Sequence, residues 1–255
     1  METDSVGTSD HDPATGLPIG PEVASDPAAR PGRVTLDGRY VVLSPLDRAL
    51  HGRALWEALQ LPDSDRLWRY LPEGPFPDRS SFEARLEAHA SSDDPLFYAV
   101  VDKDSARAQG WASLMRVKPQ HRCLEVGYIL YSLFLQRTRG ATEAMYLLAR
   151  YIFEELGYRR YEWKCDSLNQ PSRRAAQRLG FTFEGVFRQH MIIKGRSRDT
   201  AWFSILDTDW PSLKARFERW LDPDNFDSQG RQRTALSALA AESGNQRSRG
   251  RAGQR

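Results

Sequence analysis

A strand-like apolar run at Leu124–Leu130 gives way, past a polar loop, to apolar positions spaced by four: Ala144, Leu148, Ile152 and Leu156. Leu147 and Tyr151 fall on the adjoining row. That spacing lines one buried face of a helix, from about Thr142 to a glycine stop at Gly157. A short strand follows at Tyr161–Cys165. Strand, long one-faced helix and strand in succession predict a mixed α/β domain. The loop opening the helix, Gln136-Arg-Thr-Arg-Gly-Ala-Thr142, has a chemistry of its own. Free N–H groups and the positive dipole end at a helix start attract anions. Arg137 and Arg139 would add charge-assisted bonds to phosphate. On these residues alone an ordinary strand–helix connection fits as well, and the nucleotide fingerprints G-x-G-x-x-G and G-x-x-x-x-G-K-S/T are absent.

The rest of the chain extends the same pattern. Gly38–Ser44 reads as a strand, and Pro45 opens a helix to about Gln60 with Leu46, Leu50, Ala54 and Ala58 four apart and Leu55 and Leu59 alongside. Leu61–Pro77, rich in proline and aromatics, reads as an irregular connection. Asp78 caps a second helix reaching about His89. Leu96–Val101 and Ala108–Val117 are strands joined by the polar turn Asp102–Arg107. Asn169 is a suitable cap for a helix over 170–179, with Gly180 just past its end. Phe183–Ile193 and Thr200–Leu206 form a hairpin through Lys194–Ser197, and a helix at Trp210–Leu221 closes the domain.

The ends differ in composition. Residues 1–32 hold five prolines, and their acidic residues face only Arg30. From Ser228 six arginines stand against Glu242, with few large apolar residues. Neither end promises enough apolar burial to offset the entropy of ordering. The expectation is one folded domain over 33–225, with 1–32 and a basic tail over 226–255 disordered. Nucleic acid is not expected as a partner; a nucleic-acid reading through the tail would predict salt-sensitive binding lost on truncation after Phe226. There is no signal-peptide pattern and no apolar run long enough to cross a membrane, so a soluble, cytoplasmic protein is expected. Cys123 and Cys165 read as reduced structural thiols. His51, His89, His121 and His190 lack metal-ligand spacing, and no metal is expected.

Two further stretches exceed what fold maintenance requires. Asp166-Ser-Leu-Asn169-Gln-Pro-Ser172 joins a strand end, a cap and a helix; Asn169 and Ser172 could simply satisfy backbone donors. Phe183-Glu-Gly-Val-Phe-Arg-Gln-His190 and Arg198-Asp199-Thr could be outward strand positions only.

Together these stretches resemble the GNAT superfamily of N-acetyltransferases, specifically its RimJ/RimL-like branch, over about Gly38–Pro211. The resemblance rests on T-E-A after the loop, N-x-x-S before A-x-R-L-G-F, E-G-x-x-R and the late R-D-T, in that order. It implies a mostly antiparallel central sheet flanked by helices, with a splay between the family's fourth and fifth strands. It assigns Tyr128, Ile129, Leu130 and Tyr131 to backbone contacts with the pantetheine of acetyl-CoA. Gln136, Arg137, Thr138, Arg139, Gly140, Ala141 and Thr142 match the pyrophosphate loop Q/R-x-x-G-x-G/A, except that Arg139 replaces the middle glycine. Asn169 matches the asparagine that bonds the cofactor arm, and Ser172 the hydroxyl beside the thioester sulfur.

The implied chemistry is direct attack of a neutral amine on the acetyl carbonyl, with backbone N–H groups stabilising the oxyanion. Glu125 is the first candidate for the base, with Asp199 and Glu184 in reserve. Ser172, Tyr128 or Tyr131 could donate to the leaving sulfur. The expected acceptor is a primary amine, on a protein N-terminus or a small molecule, and the expected assembly a monomer or homodimer. The aromatic stretch Leu67–Phe76 is expected on the acceptor side. The alternative is a non-catalytic CoA-binding sensor or scaffold, favoured by the altered loop residue Arg139.

Overall fold

The structure, a computed structural model, describes residues 10–239. A small exposed hairpin, β1 (Asp10–His11) and β2 (Pro18–Ile19), precedes the domain. The domain runs β3 (Leu36–Asp37), β4 (Val41–Pro45), α1 (Arg48–Ala58), α2 (Arg79–Ala90), β5 (Leu96–Asp102), β6 (Arg107–Lys118) and β7 (Cys123–Tyr131). It continues with α3 (Arg139–Arg150), β8 (Arg160–Asp166), α4 (Gln170–Leu179), β9 (Thr182–Ile193), β10 (Arg196–Leu206) and α5 (Trp210–Leu221). Eight strands form one sheet in the order β3-β4-β5-β6-β7-β8-β10-β9. Every neighbouring pair is antiparallel except β7 and β8. This is the mixed sheet that the sequence led us to expect.

Alternation along β5 divides the core. Leu96, Tyr98 and Val100 face a cluster built with α3, α4 and α5, whereas Phe97 and Ala99 face one built with α1 and α2. Of the expected row, Ala144 and Leu148 on α3 and Ile152 just beyond its end are fully buried, and Leu156 is partly buried. Along α1 and its flanks the expected Leu46, Leu55, Ala58 and Leu59 are buried and Ala54 partly so, but Leu50 is 75% exposed and His51 is buried. Asp47 starts that helix later than Pro45 would, accepting a bond from the Leu50 amide at 2.8 Å, and its own amide donates to His51 Nδ1 at 3.0 Å.

Helix α3 begins at Arg139, ahead of the expected Thr142, because Thr138 caps it: Oγ1 accepts from the Ala141 amide at 3.1 Å. The hairpin β9–β10 is tighter than expected. Arg196 and Ser197 join β10, leaving Lys194-Gly195 as the turn, both at positive φ.

The expected domain limits, 33 and 225, are corrected on both sides among the described residues. The Ala28 amide bonds Pro119 O at 3.1 Å, the Arg122 guanidinium takes Asp26 O, and the Gly32 amide bonds Tyr151 Oη at 3.0 Å. Beyond α5, Trp220 Nε1 donates to Gln232 Oε1 at 2.9 Å, and Asn225 pairs with Thr234. Phe226, Leu236 and Leu239 are buried in the core. A few well-placed leucines suffice to dock a segment whose mean composition reads as a tail. The expectations for residues 1–9 and 240–255 lie outside the described residues.

Candidate active site

The parallel pairing of β7 and β8 ends at Val126 and Trp163, although β7 continues to Tyr131 and β8 to Asp166. The two strands part there, leaving backbone N–H and C=O groups of both without strand partners across the gap. A bulge drives the separation. Between Ser113–Gly127 and Trp111–Leu130 the β6–β7 register gains a residue on β7, and Tyr128 sits at φ +49°. Gly127 allows the close approach this needs: a Cβ there would lie 2.4 Å from Met115 Sδ.

At the C-terminal end of β7, Gln136 Nε2 turns back to donate to Tyr131 O at 3.0 Å. Arg137 takes the left-handed conformation, φ +63°, in the position where the loop reverses. Arg139 is not among the left-handed residues, so glycine is not needed where the family pattern carries it. Its guanidinium lies over the rings of Tyr40, at 4.5 Å, and Phe226, at 5.0 Å. Gly140 is the position that must stay small, since a Cβ would meet Val41 Cγ1 at 2.7 Å. Thr138 satisfies the Ala141 amide, but the amides of Arg139 and Gly140 have no acceptor among the described residues. Thr142 Oγ1 accepts from Arg178 Nη1 at 3.1 Å, tying this first turn to α4.

Across the gap, Asn169 Oδ1 caps α4 through the Ser172 amide at 3.2 Å, and its Nδ2 has no acceptor among the described residues. Ser172 Oγ accepts from Trp163 Nε1 at 3.0 Å. The buried Cys165 thiol is pushed up by burial, against the Ser172 hydroxyl, Arg198 and Arg173, which pull it down.

Glu125 is buried in β7, and its Oε2 takes Arg116 Nη1 at 2.7 Å and Lys164 Nζ at 3.1 Å. Oε1 lies about a van der Waals contact, 3.4 Å, from where a Cβ on Gly127 would stand, beside the bulge. Lys164 also binds Glu162 at 2.7 Å and covers the Trp202 ring at 3.7 Å. Tyr128 packs edge-on against Phe97 and His89, and burial together with nearby Glu73 raises its hydroxyl. Tyr131 Oη has no hydrogen-bond partner among the described residues, and burial pushes its pKa well above the ordinary tyrosine range. The same holds for Tyr161, whose hydroxyl is also unpartnered. Ile129 is partly buried and Leu130 fully, so this stretch offers a ligand its backbone more than its side chains.

The reserve carboxylates have structural work. Asp199 Oδ1 accepts from the Gln189 amide at 2.7 Å at a bulge in β9. Glu184 is bound twice by Arg160 and once by Ser204. Sequence reasoning missed Arg116, Lys164 and the pair of His89 Nε2 with Glu73 Oε1 at 2.6 Å, and gave Arg198 no role beyond its place in the R-D-T motif. Lys164 left a signal, since Glu162, Lys164 and Asp166 alternate with apolar residues in a strand flanked by the core. The aromatic connection does reach the site: Tyr70 Oη donates to Leu168 O at 3.3 Å, and Lys194 Nζ donates to Trp68 O and Gly74 O. Among the described residues no three His, Cys, Asp or Glu side chains are grouped to hold a metal ion.

A family model described as acetyltransferase (GNAT) domain matches residues 41–182. The structure is similar to that of a GCN5-related N-acetyltransferase from Brucella melitensis, with 47% identity and a TM-score of 0.84 over 85% of this chain and 98% of that one. It is similar also to a probable acetyltransferase of the GNAT family from Chromobacterium violaceum ATCC 12472, 41% identical with a TM-score of 0.71 over 76% and 98% of the two chains. In sequence it is 31% identical over 106 residues to the "Putative ribosomal N-acetyltransferase YdaF" of Bacillus subtilis (strain 168). That match covers 41% of this chain and 57% of the relative, little more than half its length. The chain belongs to the GNAT family of acetyltransferases and is an acyltransferase, of the family whose general donor is acetyl-CoA.

Proposed function

We propose that the chain acetylates a primary amine, with a protein N-terminus as the first class of acceptor and small-molecule amines as the second. The observation that carries this reading is the gap between β7 and β8. Unused donors border it on both sides: the Arg139 and Gly140 amides at the start of α3, and Asn169 Nδ2 on α4. An extended amide arm ending in phosphates matches those donors. Acetyl-CoA supplies the activated acyl group when bound. In this reading the Gln136–Thr142 loop holds the pyrophosphate, Asn169 bonds the amide arm, and the β7 backbone from Tyr128 to Tyr131 aligns the thioester. Glu125 takes the proton of the attacking amine, directly or through a water, and Ser172 positions the sulfur. The RimJ/RimL-like motifs and the ribosomal name of one relative favour a protein N-terminus.

The test is calorimetry with CoA together with a free-thiol release assay on peptides with free N-termini and on small amines. Micromolar or tighter binding with turnover on at least one peptide is the expected result. Tight binding with no turnover on any amine would replace this reading with that of a CoA sensor.

A further inference from the structure

Arg198 is a cation at the gap that has no partner there. It lies in β10 just before Thr200, whose register partner is Asp166, the last residue of β8. The β9 bulge lies opposite Asp199, and the Ser167 amide holds this chain close by a 2.8 Å bond to Asp199 O. Arg198 therefore stands at the end of β8, where the chain turns towards Asn169 and Ser172. Its side chain is half-buried and makes no hydrogen bond or ion pair among the described residues; Nε is shut off from solvent without an acceptor. The basic residues around it do have partners. Arg116 and Lys164 bind Glu125, Arg160 binds Glu162 and Glu184, and Arg173 donates to Ser167 O. The titratable groups within its reach come from both sides of the gap: Asp166 and Cys165 on β8, Glu125 on β7 and Arg116 on β6.

A guanidinium withdrawn from water without an acceptor is unfavourable, and burial accordingly pulls its pKa down. Such a group makes sense where an anion reaches it in the working complex. Ser172 serves poorly alone, because its hydroxyl is engaged between Trp163 Nε1 and Cys165.

We propose that Arg198 stabilises the thiolate released from coenzyme A; this rests on the acetyl-CoA reading above. As the amine nitrogen bonds the acetyl carbon and the carbon–sulfur bond breaks, the electron pair stays on sulfur. Arg198 meets that charge and keeps its own proton, while the amine proton leaves towards Glu125. The thiolate takes up a proton from solvent after departure.

The test is the ionisation of the thiol in the binary complex with CoA, followed by ultraviolet thiolate absorbance against pH. Wild type, Arg198→Lys and Arg198→Met are compared, with unfolding midpoints as a check on folding. In the wild type the bound thiol should ionise at least about 10-fold more readily than in free CoA. Arg198→Lys should keep most of that gain and Arg198→Met lose it, with kcat falling and KM for acetyl-CoA nearly unchanged. A wild-type thiol that titrates like free CoA overturns the proposal, whether or not the Met variant folds. So does an unchanged titration in Arg198→Met, or a rise in KM confined to acceptors bearing a carboxylate. Failure of the wild type to bind CoA at all would overturn the acetyl-CoA reading as well.

Discussion

Asn169 has two duties that substitutions can separate. Its Oδ1 caps α4 and its Nδ2 is free for a ligand. Asn169→Asp keeps the cap and removes the donor, so it should raise KM for acetyl-CoA about 10-fold, the worth of one good hydrogen bond, with little change in the unfolding midpoint. Asn169→Ala should do both, adding a loss of about 1 kcal/mol in stability. Equal KM values for the Asp variant and wild type would confine Asn169 to capping. Glu125 has a similar ambiguity, because it holds two cations as well as facing the bulge. Glu125→Gln should lower kcat/KM by about 10²–10⁴-fold. It should also destabilise the fold by about 3 kcal/mol, since Arg116 and Lys164 lose a buried partner. If only stability falls and kcat/KM is kept, the carboxylate is structural. At this scale the sequence names residues better than neighbours. The N-x-x-S motif located Asn169 and Ser172, but no spacing could say that Trp163 already occupies the serine hydroxyl.

Among the elements, α3 was the most legible, because a four-residue apolar period over three turns has few other readings. Its start was harder to read, since a threonine cap resembles any polar loop residue until its hydroxyl is seen on the Ala141 amide. Gly140 shows what that start depends on. Gly140→Ala pushes a Cβ towards Val41 Cγ1 and should cost about 1–3 kcal/mol. Adding Val41→Ala should recover part of it, so that chemical denaturation of the double-mutant cycle gives a coupling of at least about 0.5 kcal/mol. In the β8 network, burial raises the Glu162 carboxyl, but bonds from Lys164 and Arg160 outweigh it and leave the pKa lowered. The Arg160 bond likewise lowers Glu184. Carboxylates depressed in the folded state contribute stability that is complete above their ordinary value of 4.5 and is lost as pH falls through the folded values. Urea midpoints should therefore drop steadily below about pH 4.5, and Glu184→Gln should flatten that slope; an unaltered slope would exclude Glu184 from it.

For the molecule as a whole, the mixed α/β order follows from local patterns that agree with one another, whereas the gap in the sheet was expected only from the family resemblance. The boundaries did not follow, because composition averages over a segment while docking depends on single side chains. The stretch after α5 is low in apolar residues, yet Leu236 is fully buried, and Gln232 and Thr234 bond Trp220 and Asn225. Phe226, packed edge-on against Trp220, also carries the Arg139 guanidinium. The segment is thus coupled to the start of α3, at the phosphate end of the proposed site. A chain ending at Phe226 should unfold more easily than one ending at Leu239, by about 3 kcal/mol, the worth of two buried leucines. The comparison between these two chains isolates residues 227–239. Because Phe226 itself remains, its packing against Trp220 should loosen when Gln232 and Leu236 no longer hold that edge of the core. CoA affinity should then fall with stability, by a few-fold, whereas affinity for nucleic acid should not change. Equal unfolding midpoints for the two chains would mean that this segment lies on the domain without supporting it. An unfolding loss with unchanged CoA affinity would uncouple it from α3, and the Arg139 stack would then serve packing alone.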